Sequence, residues 1–305
     1  MIEKMLRWEY PAEPGLALRG LHTEPQNRTL EHFLHGNGFC GLVDEPWLQR
    51  LTSDYDLFLS DAQGHGLSDV GKRFVGWNRS AELAISALEA HRDHWPSQPV
   101  YGVGHSFGGV LTLLMASQRP DLFDRLVLLD PVIFTRRMIG VMALSDVVGL
   151  WQRNSMATRA RKRQRVWPSR EAAWEYFHGR GMFKGWHEDC LAAYIDHALK
   201  PEADGSLSLR CPPSREADIF SSFPRGLWRA IDRVKVPVTI IHGEQSYPFV
   251  PVSAEQARQR NPRIDTRQVP GGHCFMQEHP DETAALIAEL LASTTTKPVS
   301  QAMPA

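Results

Sequence analysis

The chain has 305 residues, 42% of them apolar, which is enough for a full hydrophobic core and for one large α/β domain carrying an insertion, or for two modest domains. Thirty-four Lys and Arg against 35 Asp and Glu give a formal charge of -1, so no global field recruits nucleic acid or an anionic membrane, and a small-molecule substrate suits the balance better. Cys40, Cys190, Cys211 and Cys274 are far apart and form no C-x-x-C pair; they read as free thiols, with no metal and no cofactor called for.

In chain order, Lys4 to Tyr10 and Leu16 to His22 predict two strands joined at the Pro14-Gly15 turn. A third strand, Thr29 to Leu34, runs into His35-Gly36-Asn37-Gly38-Phe39, ahead of a helical stretch at Pro46 to Leu51. Glycines between strand and helix offer backbone N–H groups to an anion, and His35 reads as a brace for that loop. Tyr55 to Ser60 is the next strand. The polar turn after it, Asp61 to Asp69, reads as structural, since no second group of ligands completes a metal set. Ser80 to His94 then has the apolar spacing of a helix lying on a sheet.

The most informative stretch is Pro99 to Met115, PVYGVGHSFGGVLTLLM: strand, sharp turn, helix. In the G-x-S-x-G at 104–108, glycines on either side of Ser106 remove the Cβ atoms that would collide in a strained turn. The serine hydroxyl is thereby pushed clear of the sheet, and the N–H of Phe107 lies at a helix N-terminus suited to a developing anion. Arg125 to Leu129 is a buried strand that ends at Asp130, a carboxylate on the edge where open α/β sheets collect their chemistry.

From Val132 to about Asp232 the strand and helix alternation lapses. Several tryptophans, a basic run ARKRQR at 160–165, helical patterns at Arg170 to Tyr176 and Glu188 to Leu199, and an irregular loop at Pro201 to Pro213 read as an inserted helical lid, with the basic run on a solvated lid helix. Alternation resumes with a strand at Val238 to Ile241, a helix at Val252 to Arg260 and a strand at Thr266 to Val269. His273 follows on Pro270-Gly271-Gly272, free to swing over the serine, and is the best base in the chain. A final helix runs from Asp281 to Leu291. This divides the chain into a core at 1–131 and 233–293, a cap at 132–232 and a disordered tail at 294–305.

HGNGF at 35–39, DAQGHGLSD at 61–69, GHSFGG at 104–109, LVLLDP at 126–131, IHGE at 241–244 and PGGHCF at 270–275 together resemble the α/β-hydrolase fold superfamily. The resemblance implies an eight-stranded, mostly parallel sheet flanked by helices, a cap after the sixth strand, and a catalytic triad in the order Ser, acid, His. It also implies an oxyanion hole from the amides of Phe107 and of Asn37, or Gly38 in place of Asn37. In most members the acid follows the seventh strand, where this chain has Ser246; some take it from the end of the sixth strand, which assigns Asp130, with Glu244 as the alternative acid. The expected activity is that of a serine carboxylesterase on small or medium, largely apolar acyl esters. Two other readings stand beside it. One is a carbon–carbon bond hydrolase, favoured if Arg136, Arg137 or Arg153 faces the pocket; the other is a ligand-binding protein that kept the fold, motivated by the uncharged Ser246. The N-terminus lacks a secretory apolar run and no stretch is long enough to span a membrane, so a cytoplasmic protein without a membrane partner is expected, with its oligomeric state open.

Overall fold

The computed structural model describes residues 5–147 and 149–292; the tail expected to be disordered lies outside them. The chain enters through β1 (Leu6–Glu13), β2 (Leu16–His22) and β3 (Thr29–Leu34), then α1 (Glu45–Leu48) flanked by two 3-10 turns, β4 (Tyr55–Asp61), α2 (Trp77–Ala90), β5 (Val100–His105), α3 (Phe107–Gln118) and β6 (Arg125–Leu129). Next come α4 (Arg136–Val147), α5 (Ser155–Lys162), β7 (Val166–Trp167), α6 (Arg170–Phe177), α7 (Glu188–Ala198), β8 (Leu199–Pro201), β9 (Leu207–Leu209), α8 (Pro213–Phe220) and α9 (Leu227–Arg233). The chain closes with β10 (Val238–Gly243), α10 (Phe249–Arg260), β11 (Ile264–Val269), α11 (Phe275–Glu278) and α12 (Pro280–Ala292).

Among the described residues the main sheet has eight strands in the order β1-β2-β4-β3-β5-β6-β10-β11. Only β2 pairs antiparallel, with β1 and with β4; every other pairing is parallel. Parallel strands covered by helices on both sides must be apolar on both faces, and β6 shows this directly. Leu126 and Leu128 enter the core under α2, α3, α9 and α10, whereas Val127 and Leu129 enter the core beneath α1, α11 and α12.

Between β6 and β10 lies a layer of helices with a small antiparallel sheet, β7-β9-β8. Three expectations change here. The stretch Pro201 to Pro213, read as irregular, contains a hairpin: Leu199 pairs with Leu209 and Lys200 with Ser208 across the Asp204-Gly205 turn. Turn residues were visible in the sequence, but strands of three residues carry too little alternation to detect. Helix α9 packs on α3, and its Leu227 and Ile231 belong to the main core, so the structural break falls ahead of residue 227. The basic run is not one solvated helix either: α5 ends at Lys162, and the half-buried Arg163 turns inward onto Glu216, 2.6 Å away, and the Tyr194 hydroxyl, 3.0 Å away.

Candidate active site

Ser106 sits between β5 and α3 with φ 54° and ψ −112°, in the left-handed half of backbone space that a serine occupies only under constraint. The constraint is steric. A Cβ on Gly108 would stand 2.1 Å from the Leu34 carbonyl oxygen, and one on Gly104 would stand 2.6 Å from the Gly108 carbonyl oxygen. The two glycines let β3, β5 and α3 meet at van der Waals distance, and the Ser106 N–H is held by the Leu129 carbonyl at 2.9 Å. Phe107 then begins α3, and its ring packs against Trp77 with centroids 4.7 Å apart.

The structure brings Ser106, His273 and Asp130 into one chain of hydrogen bonds. His273 Nε2 lies 2.9 Å from Ser106 Oγ, and His273 Nδ1 lies 2.5 Å from Asp130 Oδ2. With Nδ1–H donating to the carboxylate, Nε2 is left as the acceptor for the serine proton. Asp130 is fully buried, at φ 44° immediately after β6, a conformation Asp tolerates better than most residues. Its Oδ1 accepts from the Gly243 N–H at 3.0 Å, and its Oδ2 also accepts from the Ser246 hydroxyl. Glu244, by contrast, is exposed and has no hydrogen bond to His273 among the described residues, and its N–H is bound to the Val269 carbonyl.

The loop after β3 lies beside the elbow: a Cβ on Gly36 would come within 3.6 Å of the Ser106 Cβ. His35 is fully buried, its Nδ1 2.8 Å from the Gly36 carbonyl and its Nε2 accepting from the Ala62 N–H at 3.0 Å. Burial lowers its pKa and keeps the ring neutral, as a brace requires. The turn after β4 does the same from the other side. His65 Nδ1 lies 3.1 Å from the Gln63 carbonyl, and its Nε2 accepts from the Gly38 N–H at 3.0 Å; burial holds the His65 pKa well below the ordinary value. The Asp61 carboxylate ties the loops together by accepting from the Gly41 and Leu67 N–H groups at 2.8 and 2.9 Å.

These bonds separate the two candidate oxyanion donors on that loop. The Gly38 N–H is committed to His65, while neither the Asn37 N–H nor the Phe107 N–H has a partner among the described residues. The Asn37 side chain is fixed as well, its Nδ2 donating to the Glu216 carbonyl of α8 at 3.1 Å. Reading the sequence missed His65, because its role depends on a contact between two loops 27 residues apart. It also took Ser246 only as a lost charge, when the hydroxyl is a donor to the displaced acid.

Aromatic side chains pack against His273 and against the loop after β3. Tyr247 packs on His273, Phe249 stacks on Tyr247, and Phe134 stacks on Phe249. Over the other loop, Phe39 meets Trp186 and Tyr194 edge-on. Arg136, Arg137 and Arg153 are exposed and not among these residues. A cavity of about 250 Å³ lies between β2, the Cys40-Gly41-Leu42 turn, His197 and Arg210, with none of Ser106, His273 and Asp130 in its lining. Among the described residues no group of three or more His, Cys, Asp or Glu side chains could hold a metal ion.

An elbow serine, a histidine after the last strand and an acid after the sixth, on an eight-stranded sheet of this order, define a class. Residues 33–286 match the model of the alpha/beta hydrolase family, and the chain belongs to that family. It is similar to the monoglyceride lipase of Mus musculus, 31% identical over 102 residues that cover 32% of this chain and 33% of that protein. It is also similar to a type I acyl-CoA thioesterase, mpaH′, of Penicillium brevicompactum, 33% identical over 128 residues, 41% of this chain and 26% of that one. The matched stretches thus span a third or less of these relatives. The crystal structure of E-2-(acetamidomethylene)succinate hydrolase superposes with a TM-score of 0.72 at 20% identity, over 95% of this chain and all of the other, a likeness of fold.

Proposed function

We propose that the protein is a serine hydrolase that cleaves a carboxylic ester, of a small or medium and largely apolar substrate, through an acyl-enzyme. The observation that carries this reading is the unbroken chain Ser106 Oγ, His273, Asp130 on a strained elbow. His273 Nε2 takes the Ser106 proton as Oγ attacks the acyl carbon, and Asp130 orients the ring and balances the imidazolium charge. The N–H groups of Asn37 and Phe107 receive the oxyanion, a role in which one lost donor typically costs about 2.7–4 kcal/mol of transition-state stabilisation. The imidazolium then protonates the departing alkoxide, and water, deprotonated by the same ring, releases the acid.

Partial relatives named as a monoglyceride lipase and an acyl-CoA thioesterase support hydrolysis of an acyl ester or thioester, and the Tyr247 ring packed on His273 supports an apolar acyl group. The exposed positions of Arg136, Arg137 and Arg153 give no support to a pocket for an acidic carbon–carbon bond substrate. The reading of a binding protein without turnover rested on Ser246, and that residue hydrogen-bonds the acid. Pre-steady-state hydrolysis of an activated aryl ester tests the proposal: one equivalent of phenolate per protein in a burst is expected, and linear release, or none, from folded protein overturns it.

A further inference from the structure

Helix α4 buries a single side chain, Met142. Val141, Leu144 and Val147, spaced three apart on the helix, and Leu150 just beyond it are 61, 75, 83 and 63% exposed. Nearly all other large apolar side chains of the described chain are buried or less exposed than these, so the four form a local concentration and not the usual scatter of surface hydrophobes. The same segment is strongly basic. From Arg136 to Arg165 the chain carries seven arginines and Lys162 against one carboxylate, Asp146. Among the described residues, Arg163 alone of these cations is drawn inward to an acidic partner, Glu216; Arg136, Arg137, Arg153, Arg161 and Lys162 are exposed.

We propose that α4 and Leu150 beyond it dock on the surface of an anionic lipid bilayer, with Val141, Leu144, Val147 and Leu150 entering the interface and the exposed arginines of the same segment against the headgroups. The physical warrant is the pairing of the two features. Exposed aliphatic side chains gain by leaving water, and each cation near a negative surface adds attraction that salt screens. Either alone would be weak. A protein surface partner would need complementary carboxylates and pockets, whereas a bilayer asks only for aliphatic side chains beside cations. The whole-chain charge of -1 led to the expectation of no membrane partner, but a surface responds to the charge within about a Debye length, and here that charge is concentrated in one segment. This is docking on one leaflet: no helix among the described residues is long and apolar enough to cross a membrane. The inference stands on the stripe and its charge, independently of the reaction proposed for Ser106.

Vesicle co-sedimentation of the full chain tests it. Binding to phosphatidylcholine vesicles with about one-third phosphatidylglycerol is expected, at least about tenfold tighter than to phosphatidylcholine alone, and weakened severalfold by about 0.5 M salt. Leu144→Asp with Val147→Asp is expected to lower the bound fraction by about tenfold or more, and Arg153→Gln by a few-fold, with far-UV circular dichroism and melting temperature unchanged. Leu150→Ser serves as a milder variant should the double aspartate perturb folding. Absence of binding to either vesicle overturns the proposal, as does equal binding to both. A concentration-dependent dimer that Leu144→Asp abolishes, without vesicle binding, also overturns it and gives the face to a second copy of the chain.

Discussion

The hydroxyl of Ser246 donates to Asp130 Oδ2, the same oxygen that accepts from His273 Nδ1. A residue at the end of one strand thus holds the acid supplied by its neighbour: β6 and β10 are adjacent and parallel, so the loops that follow them meet at one sheet edge. Together with the Gly243 N–H, Ser246 fixes a buried carboxylate that faces the base. Removing this donor leaves the acid in place with one bond fewer. Ser246→Ala is expected to lower kcat by roughly tenfold, the value of one hydrogen bond to a charged group, and steady-state kinetics on a soluble ester measures it.

Asp130 and Glu244 make opposite predictions. Asp130→Asn removes the charge that balances the imidazolium and the acceptor that selects its tautomer, so kcat should fall by about 10³–10⁴-fold with the fold intact. Glu244→Gln touches no hydrogen bond of the site and should leave turnover unchanged. The pair is measured side by side, with circular dichroism as the control for folding.

His65 is a positioning residue for the loop that carries the Asn37 N–H. His65→Leu removes the acceptor of the Gly38 N–H, which lets that loop move against the elbow. We expect kcat to fall by about 10-fold or more at nearly constant KM, with an equal loss of affinity for a trifluoromethyl ketone that mimics the tetrahedral species. His65→Gln, which restores an acceptor, should recover most of the loss. A role confined to stability would lower the melting temperature without changing kcat or ketone affinity.

Glu31 on β3 is fully buried between β4 and β5 with neither carboxyl oxygen hydrogen-bonded, and burial pushes its pKa up to about 8. In the unfolded chain the group loses its proton near 4.5, whereas the folded chain retains it until about 8. The unfolded state therefore binds fewer protons across that window, and stability should fall as pH rises from about 4.5 to 8 and level off above. Glu31→Gln, with the same shape and no ionisation, should flatten this slope and raise the melting temperature at pH 8. Thermal melts of both proteins across that range measure it.

Much of this fold was legible because its signals are local. Strand β3 runs over the residues that alternation and flanking turns indicate, Thr29 to Leu34, and β6 likewise over Arg125 to Leu129. Ser106 could be read from two glycines and a change of hydrophobic period, and His273 from a glycine turn after a strand. What escaped reading was set by contacts between distant segments. His65 acts on a loop contributed by another strand, Arg163 leaves a basic run because Glu216 and Tyr194 lie beneath it, and α9 joins the main core because α3 presents an apolar face to it. Local composition holds no record of these partners.

The central claim is that Ser106 is an activated nucleophile, and covalent labelling tests it most directly. The folded protein is incubated with a fluorophosphonate, followed by intact mass and peptide mapping. One adduct is expected, on the peptide bearing Ser106, lost in Ser106→Ala and in heat-denatured protein and strongly slowed in Asp130→Asn. Folded protein that takes no label, or that is labelled equally after Ser106→Ala, would contradict the account.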